Sequence, residues 1–137
     1  MRKPAIRRGP ANASETSLHM TVAGFLRRAW PAHLLWWHTP NGENRDPRTG
    51  GKLKAMGALA GVPDLIFLLP DKQIAFIELK QGSGDLSEVQ IKFRDRVQAL
   101  GCAYAVCRSP EDVETTITRW LKVYGLVPTA CLIRRAA

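Results

Sequence analysis

Cysteine is scarce in this chain and poorly placed for bonding. There are three among 137 residues, with no C-x-x-C pair. Cys102 and Cys107 lie an odd number of positions apart within one expected strand, so their side chains leave opposite faces and cannot pair. Cys131 stands alone near the end. A disulfide scaffold is excluded, and without histidines at zinc-finger spacing a structural zinc is not expected. Long apolar runs are missing too. No segment approaches the length of a membrane span, and the basic N-terminal residues lack the apolar core of a signal peptide, so neither span nor leader is expected and the chain reads as cytoplasmic. There is no internal repeat and no low-complexity tract. Acidic residues are in deficit: 12 Asp and Glu against 20 Lys and Arg give a formal charge of +8. That balance favours a polyanionic partner.

What is present suits one domain around one core, with 45% hydrophobic residues over 137 positions. Residues 1–13 carry Arg2, Lys3, Arg7 and Arg8 among Pro, Gly and Ala, and read as a flexible basic arm. The folded domain is expected over 14–125, followed by a tail over 126–137 that ends with Arg134 and Arg135. Leu18, Val22, Phe25, Leu26 and Ala29 recur at helical spacing, with Ser14 as the expected cap. Glu15 falls on the same side as His19, Val22 and Leu26, where attraction to a helix N-terminus would account for it. Residues 34–39 read as an aromatic strand stopped by Pro40-Asn41-Gly42. A polar loop with Arg45 and Arg48 follows, then a short helix over 52–60 bearing Lys52 and Lys54, with Gly57 weakening it. Strands are expected at 65–69, 74–79 and 103–107. Ser87-Glu88-Val89-Gln90 opens a helix as a capping box, with Val89, Phe93, Val97 and Leu100 as its buried stripe. Ser109-Pro110 starts the last helix, whose apolar face is Val113, Ile117, Trp120, Leu121 and Tyr124. The order of elements implies an α/β fold: a central mixed β-sheet flanked by α-helices.

The sharpest conflict lies in two of those strands. Residues 65–69 and 74–79 are apolar without alternation, as strands covered on both faces are. Yet Asp64 opens one, and Glu78 and Lys80 close the other. Unpaired charges at a core rim cost several kcal/mol, roughly, so such groups are paired or bind metal. Glu78 and Lys80, two apart in a strand, share a face. Asp64 joins them only if the hairpin has an odd-length connection, such as Pro70-Asp71-Lys72, or a bulge; a two-residue turn would put it on the wrong face. In the joined arrangement Asp64, Glu78 and the carbonyl of Leu79 can hold Mg²⁺ or Mn²⁺, and Lys80 can position the attacking water beside a phosphodiester. A purely structural ion pair among the same three residues is the other reading.

These segments resemble the PD-(D/E)xK nuclease superfamily, and more closely its VRR-NUC (virus-type replication and repair nuclease) family. The resemblance runs from Glu15 through His38-Thr39-Pro40-Asn41-Gly42, Leu53-Lys54-Ala55-Met56-Gly57, Gly61-Val62-Pro63-Asp64-Leu65, Ile77-Glu78-Leu79-Lys80, Leu86-Ser87-Glu88-Val89-Gln90 and Ala105-Val106-Cys107-Arg108-Ser109, to about Leu121. It implies a restriction-endonuclease-like core and a Mg²⁺- or Mn²⁺-dependent DNA endonuclease. Stand-alone, phage-type members resemble homodimeric Holliday junction resolvases, which implies branched DNA as substrate and the cytoplasm of a bacterial or phage-infected host cell as location. Glu15 is then a further metal-positioning residue. Gln90 reaches the site, or serves only its capping box. His38 and Asn41 lie at the family's strand end as DNA contacts, or are a core-edge histidine and a turn asparagine. Arg45, Arg48, Lys52 and Lys54 are phosphate contacts or solvated surface charges. Trp36, Trp37 and Trp120 are interface or core. The same fold also admits a nicking or linear-duplex nuclease, one acting on RNA, or a non-catalytic DNA-binding module.

Overall fold

Val22, Phe25, Leu26 and Ala29 recur at the three-and-four spacing of one helix face, and all four are buried. They belong to α1, Ala11–Ala29. The computed structural model describes residues 11–40 and 47–132. The arm residues Arg2, Lys3, Arg7 and Arg8, the loop residues Asn41 and Arg45, and the terminal Arg134 and Arg135 lie outside the described residues. The helix begins at Ala11, ahead of the Ser14 expected to cap it.

The remaining elements are β1 (Trp36–His38), α2 (Pro47–Ala55), β2 (Leu65–Leu68), β3 (Ile74–Leu79), α3 (Glu88–Ala99), β4 (Ala103–Cys107) and α4 (Pro110–Lys122). Their order is the expected one. The sheet runs β1-β2-β3-β4, antiparallel except for the parallel β3–β4 pair, and is therefore mixed. Such a parallel pair needs a crossover, which α3 supplies.

α2 lies earlier than its expected span of 52–60. Its end is set by Gly57 at φ +100, where the Gly57 N–H donates to Lys54 O at 3.0 Å and the Ala58 N–H to Leu53 O at 2.9 Å. That is a Schellman closure. The glycine read as a weakness within the helix is its terminator.

Alternate residues of the strands build the core. Leu65, Phe67, Ala75, Ile77, Leu79 and Cys107 face Phe25, Leu26 and Trp30 of the α1 segment and Val113, Ile117 and Leu121 of α4. Phe67 sits edge-on between Trp30 and Trp120, at centroid distances of 4.9 and 5.7 Å. The opposite face is less covered. There Phe76 meets Phe93 of α3 at 5.2 Å. β3 is buried on both faces from Ala75 to Leu79, as expected, whereas β2 alternates buried with half-buried residues.

The expected burial of α3 is corrected here. No residue of α3 is buried, and Val89 and Leu100 are 47% and 81% exposed. With Leu59, Ala60, Phe93 and Val97 they line an apolar groove of about 340 Å³. Periodicity identifies residues that share a side of a helix; it does not supply the neighbour that covers them.

Candidate active site

The β2–β3 connection decides whether Asp64 reaches Glu78. Leu65 pairs with Ile77 and Leu68 with Ile74, so one step further out Asp64 stands opposite Glu78. Leu69 N–H donates to Gln73 O at 2.9 Å, leaving Pro70-Asp71-Lys72 as a three-residue connection. Asp71 and Lys72 take left-handed conformations, φ 60 and 61, to close it. The connection is odd, as the site required, and both carboxylates gather at one end of the sheet.

Each carboxylate then replaces a missing rung of the ladder. Asp64 Oδ2 accepts from Leu79 N–H at 2.8 Å, and Glu78 Oε2 accepts from Asp64 N–H at 3.3 Å. The preceding turn is fixed by Gly61, at φ +84, where a Cβ would stand 2.3 Å from Val89 O. No side chain fits there, so the approach of the Asp64 strand to the start of α3 depends on glycine.

Gln90 performs both of the tasks proposed for it. Its Oε1 accepts from Ser87 N–H at 2.9 Å, completing the capping box, while its Nε2 donates to Glu78 Oε1 at 2.9 Å. The obligate donor at Ser87 fixes which way the amide faces. Lys80 Nζ lies 3.8 Å from the same Oε1. Glu15 enters from α1, exposed, and completes a cleft of about 180 Å³ that it lines with His19, Asp64, Glu78, Lys80 and Gln90. Burial, and then repulsion from Asp64, push the Glu78 carboxyl up to about 7 against the pull of Lys80.

His19 is the residue that sequence reasoning missed. It lies one turn beyond Glu15, and its Nε2 is 3.3 Å from Asp64 Oδ1. The hydrogen bond to Asp64 raises the His19 pKa above its ordinary value. The signal was available in the shared side of Glu15 and His19, but it was used for Glu15 alone. His38, exposed at the end of β1, bonds Asp64 O through Nδ1 at 2.8 Å and sets its ring edge-on to His19, with centroids 4.7 Å apart.

The basic residues separate from this cluster in kind. Arg48, Lys52 and Lys54 are exposed along α2. Asn41 and Arg45 fall outside the described residues. Among the tryptophans, Trp120 is core, Trp36 packs against the core, and Trp37 is 42% exposed.

The fold is shared with a known protein. A solved structure named "VRR_NUC domain protein" is similar in fold, with a TM-score of 0.65 and 21% identity, over 80% of this chain and 88% of that one. No curated protein matches the chain. The model of the VRR-NUC domain matches residues 26–111, a span that contains Asp64, Glu78, Lys80 and Gln90 and begins after Glu15 and His19. More than half of the chain lies within that span, and the chain therefore belongs to the VRR-NUC domain family, whose fold is that of a nuclease.

Proposed function

We propose that the chain is a metal-dependent endonuclease that hydrolyses DNA phosphodiester bonds, acting on branched DNA as a homodimer. The observation that carries this reading is the Asp64–Glu78 pair, held by reciprocal backbone bonds at 2.8 and 3.3 Å in a cleft shared with Lys80. Here Glu78 is raised to about 7 despite Lys80, so the donor set has room for more positive charge.

Asp64, Glu78, Glu15 and the Leu79 carbonyl would hold Mg²⁺ or Mn²⁺, hard ions that take oxygen ligands. When bound, such an ion stabilises charge developing at phosphorus and lowers the pKa of water. Lys80 orients the attacking water and offsets phosphate charge. Gln90, by donating to Glu78 Oε1, holds that carboxylate in one orientation. Arg48, Lys52 and Lys54, with Arg45 and the arm, meet the DNA backbone. The preference for branched DNA rests on symmetry. A four-way junction offers two equivalent strands to cut, and a two-fold dimer brings one cleft to each.

The test is cleavage of a labelled four-way junction and a matched linear duplex in Mg²⁺, Mn²⁺ or EDTA, with wild type beside Lys80→Ala. Symmetric cuts in the junction that need metal and vanish in the variant are expected. Equal cutting of both substrates would keep hydrolysis and remove the junction preference. Binding without cutting would overturn catalysis in favour of a DNA-binding module, and a monomer in sedimentation with and without DNA would overturn the dimer.

A further inference from the structure

We infer that His19, His38 and Asp64 form a second divalent-metal position, suited to an imidazole-binding transition ion such as Zn²⁺, beside the oxygen-rich position of Asp64 and Glu78. Three separate elements bring these groups together: α1, the last residue of β1, and the residue before β2. One ring nitrogen of each histidine and one Asp64 oxygen all lie within 4.8 Å of one another. Tetrahedral zinc with bonds of about 2.0–2.1 Å sets its ligand atoms roughly 3.3–3.5 Å apart. The 3.3 Å between His19 Nε2 and Asp64 Oδ1 already meets that spacing. The other spacings among the three groups lie within 4.8 Å.

The groups are also oriented from outside, as metal ligands are. Leu79 N–H holds Asp64 Oδ2, which leaves Oδ1 toward His19. The Asp64 carbonyl holds His38 Nδ1 at 2.8 Å. A carbonyl only accepts, so Nδ1 carries the proton, and in the neutral ring the lone pair lies on Nε2. A simple ion pair between His19 and Asp64 explains one imidazole. The bond to the Asp64 carbonyl sets a second ring edge-on against the first at 4.7 Å, where two protonated rings would repel. A shared cation uses both in their neutral form. Two imidazoles and one carboxylate leave coordination positions open, the pattern of a reactive rather than a structural zinc site. Mg²⁺ favours oxygen, so the two positions select different ions.

This inference goes beyond the nuclease reading and can be tested without DNA. Zn²⁺ is titrated into the full chain in excess Mg²⁺, and the imidazole ¹H–¹⁵N correlations of all three histidines are followed. His33, exposed and outside the cluster, is the internal control. The His19 and His38 signals are expected to shift together and saturate at one ion per chain, with His33 unmoved. His38→Ala should weaken Zn²⁺ binding about tenfold or more. Glu78→Gln should keep the shifts. His19→Gln, which keeps a good helix former in α1, repeats the test should His38→Ala disturb β1. Equal shifts at all three rings, no shifts, or wild-type affinity in both histidine variants would overturn the second position, as would loss of the shifts in Glu78→Gln. Cleavage in Mg²⁺ persisting through such a failure would leave the nuclease reading intact, and ring shifts without cleavage would do the reverse.

Discussion

Glu78 is 5% exposed and opposes Asp64, so in the metal-free chain its carboxyl titrates at about 7 against an ordinary value of 4.5. A raised carboxyl pKa means that the folded chain holds a proton which the unfolded chain has lost. The contribution to stability is therefore complete below 4.5 and disappears as pH rises through about 7. His19, also raised, loses its contribution in the same direction at higher pH. The thermal midpoint in EDTA should fall across that window, Mn²⁺ should flatten the fall, and Glu78→Gln should remove most of it. A midpoint that climbs with pH in EDTA would contradict the assignment. Gln90 invites a comparison with its capping partner. Ser87→Ala and Gln90→Ala should each cost about 1 kcal/mol through the lost cap. Only Gln90→Ala should also weaken Mn²⁺ binding in calorimetry, because only Gln90 touches Glu78. Equal metal affinities would reduce Gln90 to a cap. Asp64, Glu78 and Lys80 were legible because charge stood out against apolar strands. His38 was singled out at its strand end, as a DNA contact or a core-edge histidine, and His19 was passed over although it shares a side with Glu15; that the two rings meet was not legible, because only tertiary packing sets them together.

At the scale of elements, the fate of apolar residues separates what the chain encodes locally from what packing decides. The stripes of α1 and α4 were read correctly because each meets the sheet and its partner helix in one core. The stripe of α3 has the same spacing and remains largely uncovered. The same limit appears in β2, whose unbroken apolar run implied cover on both faces although only one face is closed. Helix ends were legible where chemistry is local, as at Ser87 and Ser109, whereas α2 lies five residues earlier than expected, its C-terminal end displaced because Gly57 was weighed as a poor helix former and not as a cap. These differences have a measurable consequence. Phe67→Ala should cost about 3–5 kcal/mol, since its ring is fully buried between two tryptophans. Leu100→Ser should change stability by less than about 0.5 kcal/mol, as surface substitutions do. Urea denaturation of both variants checks the pair, and a large loss in Leu100→Ser would mean that α3 packs against something in solution, a second copy included.

The whole molecule carries +8 at neutral pH, and part of that excess is ordered on one helix, where Arg48, Lys52 and Lys54 are exposed along α2. The carboxylate cleft lies in the opposite electrostatic regime, lined by Glu15, Asp64 and Glu78, the last with a raised pKa. A polyanion would be repelled by that cleft until cations occupy it, so affinity and chemistry depend on different residues. Backbone contacts release condensed counterions, and each lost phosphate contact lowers the slope of log affinity against log salt by about 0.9 on duplex DNA. Replacing Arg48, Lys52 and Lys54 together by Ala should therefore reduce the slope by roughly 2.7 if all three meet phosphate, without changing the order of preference among DNA sequences. Single-turnover cleavage at saturating DNA should stay near wild type, because none of the three lines the cleft. Fluorescence anisotropy at a series of salt concentrations, beside single-turnover assays, separates these terms. An unchanged slope would make the three residues solvated surface charges and move the DNA path to another face, whereas a loss of rate at saturation would mean that α2 reaches the scissile phosphate itself.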